Sequence, residues 1–264
     1  MSEPKKIRVE INITMRCSAA AICFRCDRGI SELRGRTDDM TTEQVANFVE
    51  EAIRRKDEVR IERLKVLGGE PLSHPNFADI FDILAKGLDA GAFGFIKINT
   101  NAIKEYPQYV HRRGVKIARS PLEGKRHLPM YAHPADLGLP SYGHTAESGP
   151  VCGHPQKCGF SLDHKGWLPC SPAILIAAGF DLEHLYRQEI PVEPWGIELC
   201  NACVYSLPHS FRKANLGTSH VDASPRWKAA LENIAAKQGH KLVMPSDRKS
   251  FDRLPLVSLP VVAG

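Results

Sequence analysis

Along residues 7–14, Ile-Arg-Val-Glu-Ile-Asn-Ile-Thr, apolar and polar positions alternate, the period of a strand. From about Thr42 to Lys56 the period lengthens. Val45, Phe48, Val49, Ala52 and Ile53 fall at helical spacing, and Thr41 with Gln44 makes a capping box before them. The run Leu64-Lys65-Val66-Leu67 predicts a second strand that ends at Gly68-Gly69. A second helix, from about Asn76 to Leu88, turns Phe77, Ile80, Phe81 and Leu84 inward. Residues 95–99 predict a third strand, with Gly91 and Gly94 before it. A short helical stretch around Tyr106 to Arg112 leads to a fourth strand over 115–119.

Strands alternating with helices imply parallel pairing through right-handed crossovers. The expected fold class is α/β, as a doubly wound sheet or a partial (β/α) barrel of parallel strands. Both architectures place ligands at the C-terminal ends of the strands. After Pro121 the alternation stops, and residues 122–150, with many Pro, Gly and His, read as a linker. Residues 159–169 predict a hairpin with Asp163 to Gly166 at its turn. A last helix is expected from Pro225 to Gln238, with Ser224 as N-cap, Gly239 at its end and Trp227, Leu231 and Ile234 facing a core. The chain thus divides into a core over 1–121, the linker, a small cysteine-rich extension over 151–244, and an extended Pro-containing tail over 245–264.

Composition narrows the class. Hydrophobic residues make up 43% and charged residues 25%, which suits a globular chain. The 35 basic and 30 acidic residues leave a net charge of +5, enough to suit an acidic protein partner and too little for a nucleic-acid signature. No apolar run approaches the roughly 20 residues of a membrane span, and Met1 to Lys6 is polar. The expectation is a cytoplasmic protein with no membrane and no nucleic-acid partner, whose eight cysteines serve as metal ligands or reactive thiols instead of disulfides. The eleven histidines offer no pairing at metal-binding spacing.

Cys17, Cys23 and Cys26 form C-x5-C-x2-C directly after the first strand. Three thiolates in ten residues can surround one metal centre. A [4Fe–4S] cluster ordinarily takes four, so three protein ligands leave one iron open to a cofactor or substrate. Zinc is the other reading and wants a fourth ligand, which no His in the loop supplies. Gly68-Gly69-Glu70-Pro71 lies at the end of the second strand. There a carboxylate and close backbone can receive a cationic group.

Together these motifs resemble the radical S-adenosylmethionine (SAM) superfamily over residues 7–121. Its usual signature is C-x3-C-Φ-x-C after the first barrel strand. Phe24 stands at the aromatic Φ position, and the first gap holds five residues (Ser18 to Ile22) where the signature has three. The resemblance implies that Cys17, Cys23 and Cys26 hold a [4Fe–4S] cluster that chelates SAM. It further implies that Gly68, Gly69 and Glu70 receive the SAM α-ammonium, and that Asn99, Asn101 and Ser120, at the ends of the third and fourth strands, line the SAM site. In the superfamily one electron cleaves SAM to methionine and a 5′-deoxyadenosyl radical, which takes hydrogen from a substrate. The substrate classes implied are peptides, sugars and nucleotides, and the electron donor is of flavodoxin or ferredoxin type.

Five further cysteines, Cys152, Cys158, Cys170, Cys200 and Cys203, lie within 52 residues. Cys200-Asn201-Ala202-Cys203 is a metal half-site, and Cys170 closes the predicted hairpin. The arrangement resembles the auxiliary-cluster extensions called SPASM, with two clusters, and Twitch, with one. Five cysteines suit Twitch. The implied ligands of a second [4Fe–4S] cluster are Cys152, Cys170, Cys200 and Cys203, with Cys158 as the alternative to Cys152. Such a cluster could take an electron from a substrate radical, bind substrate or relay electrons. The competing functional classes are a non-catalytic iron–sulfur electron-transfer or scaffold protein and a zinc-binding module. No catalytic acid or base is assigned.

Overall fold

The computed structural model describes residues 3–20, 23, 26–101, 106–119, 131–138, 152, 157–207 and 223–244. The strands are β1 (Lys5–Thr14), β2 (Leu33–Arg34), β3 (Val59–Gly68), β4 (Ile96–Thr100), β5 (Val115–Arg119), β6 (Phe160–Asp163), β7 (Gly166–Leu168) and β8 (Lys241–Leu242). The helices are α1 (Thr42–Arg54), α2 (Phe77–Asp89), α3 (Ala173–Gly179) and α4 (Pro225–Gln238). Six strands form one sheet in the order β5-β4-β3-β1-β6-β7, and β2 pairs with β8 in a small second sheet. Within the large sheet every neighbouring pair is parallel except the β6–β7 hairpin. The fold is therefore α/β and mostly parallel, in keeping with a partial β/α arrangement.

The alternation along β1 sets the layers. Val9, Ile11 and Ile13 are fully buried, and in register Ile11 meets Val66, Val66 meets Ile98 and Ile98 meets Ile117. That face carries the main core. On α1, Val45, Phe48, Val49 and Ala52 are buried, and on α2 Phe77, Ile80, Phe81 and Leu84 are. The capping box at Thr41 and Gln44 is formed: each side chain accepts from the other's backbone N–H, at 3.1 and 2.9 Å. Phe48 stacks on Phe93 with ring centroids 5.7 Å apart and meets the edge of Trp167 at 5.6 Å.

A second core gathers Met15, Leu33, Leu168, α3 and the buried face of α4. Trp227 is its anchor: fully buried, it meets Phe180 edge-on at 5.0 Å and donates from Nε1 to the Ala202 carbonyl at 3.0 Å. The expected α4 forms with its ends as anticipated, closed by Gly239 in the left-handed region (φ 67). Ser224 holds the N-cap position, but its hydroxyl accepts from the His133 N–H at 3.0 Å instead of capping the helix.

Three local expectations change. Tyr106 to Arg112 forms only the 3-10 turn Gln108–Val110, because Pro107 lacks an N–H and disfavours helix in the residue before it. The second strand is longer than 64–67 and starts at Val59. The seven-residue α3 was not anticipated. The tail, the linker apart from 131–138, Phe24 and Ser120 lie outside the described residues. Among the described residues no helix is long and apolar enough to cross a membrane.

Candidate functional site

The C-terminal edge of the parallel strands brings the two N-terminal motifs together. Directly after β1 the chain turns into the loop of Cys17, Cys23 and Cys26. The end of β3 crosses beneath it: Gly69 donates to the Thr14 carbonyl at 2.7 Å and Glu70 N–H to the Arg16 carbonyl at 2.8 Å. This crossing explains the glycine pair. A Cβ on Gly68, at φ 143, would stand 2.1 Å from the Thr14 oxygen, and one on Gly69 would stand 2.1 Å from the Arg16 oxygen and 2.9 Å from Cys17 Cβ. The close approach that glycine permits here is strand against cysteine loop.

Glu70 is fully buried. Its carboxylate accepts from Thr100 Oγ1 at 2.9 Å and the Asn101 N–H at 2.8 Å through one oxygen, and from the Leu72 N–H at 3.3 Å through the other. It thereby fastens the end of β3 to the end of β4. Asn101 reaches on from there: its Nδ2 lies 3.9 Å from Cys17 Sγ and 3.3 Å from Ser18 Oγ. Asn99 Oδ1 is buried with no hydrogen-bond partner among the described residues. An orphaned buried acceptor is costly in isolation, so it is a natural seat for a donor from a ligand.

Polar residues brace the cysteine loop from behind. The Tyr131 hydroxyl lies 2.7 Å from the Cys26 carbonyl oxygen and 2.5 Å from Glu32 Oε2. Arg36 donates from Nη1 to the Arg28 carbonyl at 2.8 Å. The buried Arg28 guanidinium bonds Asn12 Oδ1 at 2.5 Å, Asp27 Oδ1 at 2.7 Å and Ser171 Oγ at 3.1 Å. Asn12 in turn donates to Ser161 Oγ at 2.8 Å. These bracing residues had no signal in local sequence, since the partners stand up to 149 positions apart. The one available pointer was Asp27-Arg28 immediately following Cys26.

The C-terminal cysteines also separate in place. Cys152, Cys170, Cys200 and Cys203 line one pocket, together with Ile176 and Trp195. Cys158 is not part of that lining. It lies instead toward Glu10, Lys65 and Arg63 on the sheet, and its carbonyl accepts from Arg63 Nη2 at 3.0 Å.

None of the eight cysteines is in a disulfide. Burial pushes the Cys17 and Cys26 thiols up, and neighbouring carboxylates, Glu70 and Asp27 respectively, add to it. Burial followed by the nearby Cys203, Cys152 and Cys200 holds Cys170 well above the ordinary range. Cys200 and Cys203 are pushed up to about 12, again by burial first and then by Cys152. Thiols held in this way are poor nucleophiles, so Cys17, Cys26, Cys170, Cys200 and Cys203 lack the electrostatics of a catalytic thiolate. Four cysteines lining one space could serve as ligands of a positively charged metal centre, whose binding would ionise them. Among the described residues no three His, Cys, Asp or Glu side chains converge tightly enough to hold a single metal ion. The four C-terminal cysteines line a pocket without converging on one point.

No family model matches the chain, and no curated protein sequence matches it. Among solved structures, the crystal structure of BtrN in complex with AdoMet and 2-DOIA is similar with a TM-score of 0.38 and 14% sequence identity, over 88% of this chain and 92% of that one. A superposition that loose carries no weight for function, and the case rests on this chain's own residues.

Proposed function

We propose that the protein is a radical SAM enzyme that carries a [4Fe–4S] cluster on Cys17, Cys23 and Cys26 and an auxiliary [4Fe–4S] cluster on Cys152, Cys170, Cys200 and Cys203. The observation that carries this reading is the junction at the strand ends, where Asn101 joins Cys17 Sγ to the Glu70 carboxylate. A loop with three thiols and a Gly-Gly-Glu turn, distant in sequence, share one edge of a parallel sheet. A zinc module or an iron–sulfur scaffold gives no reason for the second motif to be there.

The donor sets fit the groups. Three thiols in the first loop leave an iron coordination position for SAM, and four thiols around the second pocket complete a cubane. When bound there, the first cluster would supply one-electron reductive cleavage of SAM, the chemistry needed to start hydrogen abstraction from a substrate. The chain's own residues bind and orient. Gly68 and Gly69 let β3 pass under the loop. Glu70, proposed with Gly68 and Gly69 to receive the SAM ammonium, fixes Thr100 and Asn101 beside Cys17, and Asn99 Oδ1, without a partner among the described residues, is a further acceptor for that group. Arg28, Arg36 and Tyr131 hold the loop backbone. Phe24 and Ser120 complete the proposed SAM site, and a flavodoxin- or ferredoxin-type protein is the proposed electron donor.

The test is formation of 5′-deoxyadenosine from SAM by anaerobically reconstituted, dithionite-reduced protein. Cys17→Ala, Cys23→Ala and Cys26→Ala are each expected to abolish it. Saturating zinc with no brown absorbance would favour the zinc module, and a full iron complement without SAM cleavage would favour the scaffold.

A further inference from the structure

The register of the sheet sets four charged residues side by side. Glu10 on β1 pairs with Lys65 on β3, Lys65 with Lys97 on β4, and Lys97 with Lys116 on β5. Alternation puts all four on the face opposite Ile11, Val66, Ile98 and Ile117, away from the main core. Neighbouring strands stand about 4.8 Å apart, and like charges directly abreast destabilise a sheet. Only one of the three ammonium groups is answered by a described carboxylate: Lys65 Nζ bonds Glu10 Oε1 at 2.5 Å. Lys97 and Lys116 have no ion pair among the described residues, and Lys116 is exposed, its ammonium 4.9 Å from the centre of the Phe95 ring.

Positive charge continues along β3. Arg63, two residues before Lys65, gives Nη2 to the Lys157 and Cys158 carbonyls, while its Nε is buried without a partner among the described residues. The row ends beside Glu10 at Ser161, whose hydroxyl belongs to the Asn12–Arg28 network behind the first cysteine loop. From Glu10 to Asn12 is two residues of strand, about 7 Å. A cationic row that costs the sheet stability therefore lies one step along the strands from the proposed reaction site.

We propose that this face binds the substrate through an anionic group, a phosphate or a carboxylate, held by Lys97 and Lys116 with Lys65 beside them. The inference rests on the radical SAM reading and narrows its substrate to an anion. Lysines act as point charges that suit a multiply charged group, and two lysines paired across neighbouring strands can turn their flexible stems to share one such group.

The test is thermal unfolding of reconstituted protein titrated with inorganic pyrophosphate or with citrate, against sodium chloride of equal ionic strength. Ligand binding to the native state raises Tm with concentration. A rise with pyrophosphate assigns the phosphate source, and a rise with citrate assigns the carboxylate source. Lys97→Gln and Lys116→Gln are each expected to raise the half-saturating concentration at least tenfold, while unfolding no lower than wild type without anion because repulsion is relieved. If Lys97→Gln does not fold, Lys116→Gln at the exposed end gives the same reading. No rise beyond that of salt, or unchanged half-saturation in the variants, overturns the proposal. The titration needs no SAM cleavage, so an anion response without 5′-deoxyadenosine sinks the enzyme reading alone, and the converse sinks only the anion site.

Discussion

Arg28, two residues after Cys26, donates from Nη2 to the hydroxyl of Ser171, the residue after Cys170, at 3.1 Å. One buried guanidinium thus ties the two cysteine-bearing segments to each other and, through Asn12, to the central strand. Replacing it with Ala strands Asn12 Oδ1 in a buried site and releases both segments. Arg28→Ala is expected to lower unfolding free energy by about 3–5 kcal/mol in denaturant titration, the range for breaking a buried charged contact. Iron loading is expected to fall at both cysteine groups. Normal loading of either would show that Arg28 does not brace that group.

The four-cysteine pocket separates Cys152 from Cys158. Reconstituted wild type is expected to hold about eight irons, two cubanes' worth. Cys152→Ala, Cys200→Ala and Cys203→Ala are each expected to drop this to about four, with Cys158→Ala unchanged. Iron analysis with cluster spectra decides it, and loss in Cys158→Ala with Cys152→Ala intact would reverse the assignment.

Glu70 has two tasks that one pair of variants separates. Its three accepted hydrogen bonds are structural, so Glu70→Ala removes a buried acceptor from the Leu72 and Asn101 N–H groups and from the Thr100 hydroxyl. A loss of about 2–4 kcal/mol of stability is expected. SAM affinity is expected to fall roughly ten- to a hundredfold as Asn101 and Asn99 lose their setting. Glu70→Gln keeps the size and some of the acceptors and is expected to recover most of the stability. Equilibrium unfolding and SAM binding to the cluster-loaded variants would measure the two effects separately.

An acid-side prediction concerns Asp38. Burial alone would push its carboxyl up, but the Arg36 guanidinium, with contacts of 3.0 and 2.8 Å, holds it below its ordinary 3.8. A carboxyl depressed in the folded state adds stability that is present above about pH 4 and is lost as pH falls through the folded value. Asp38→Asn is expected to flatten this part of the stability–pH curve of the metal-free protein while lowering stability near neutrality. An unchanged acid limb would remove Asp38 as its cause.

Much of the N-terminal half was legible because its signals are local. Alternation marked β1, helical spacing with a Thr41 cap marked α1, and the cysteine and glycine motifs fell at strand ends where parallel sheets keep their ligands. Ala173–Gly179 was missed for a physical reason: the segment Ala-Ile-Leu-Ile-Ala-Ala-Gly is almost wholly buried, so it has no polar face to mark a period. The two-residue strands Leu33–Arg34 and Lys241–Leu242 are too short to carry a pattern at all. The lysine row was hidden for another reason. Lys65, Lys97 and Lys116 become neighbours only once register is known, and register belongs to pairs of strands. The Arg28–Ser171 contact is of the same kind.

Parallel pairing of β6 with β1, Glu10 against Ser161, has a mechanical consequence. The first cysteine loop springs from β1, and Cys170 follows the hairpin that β6 begins. The spacing between the first cysteine loop and Cys170 is thus tied to a backbone hydrogen-bond lattice. Electron tunnelling falls steeply with distance, so with the two proposed clusters in place a separation fixed this way would make the rate between them a property of the sheet. A one-residue slip of β6 would alter that rate at once.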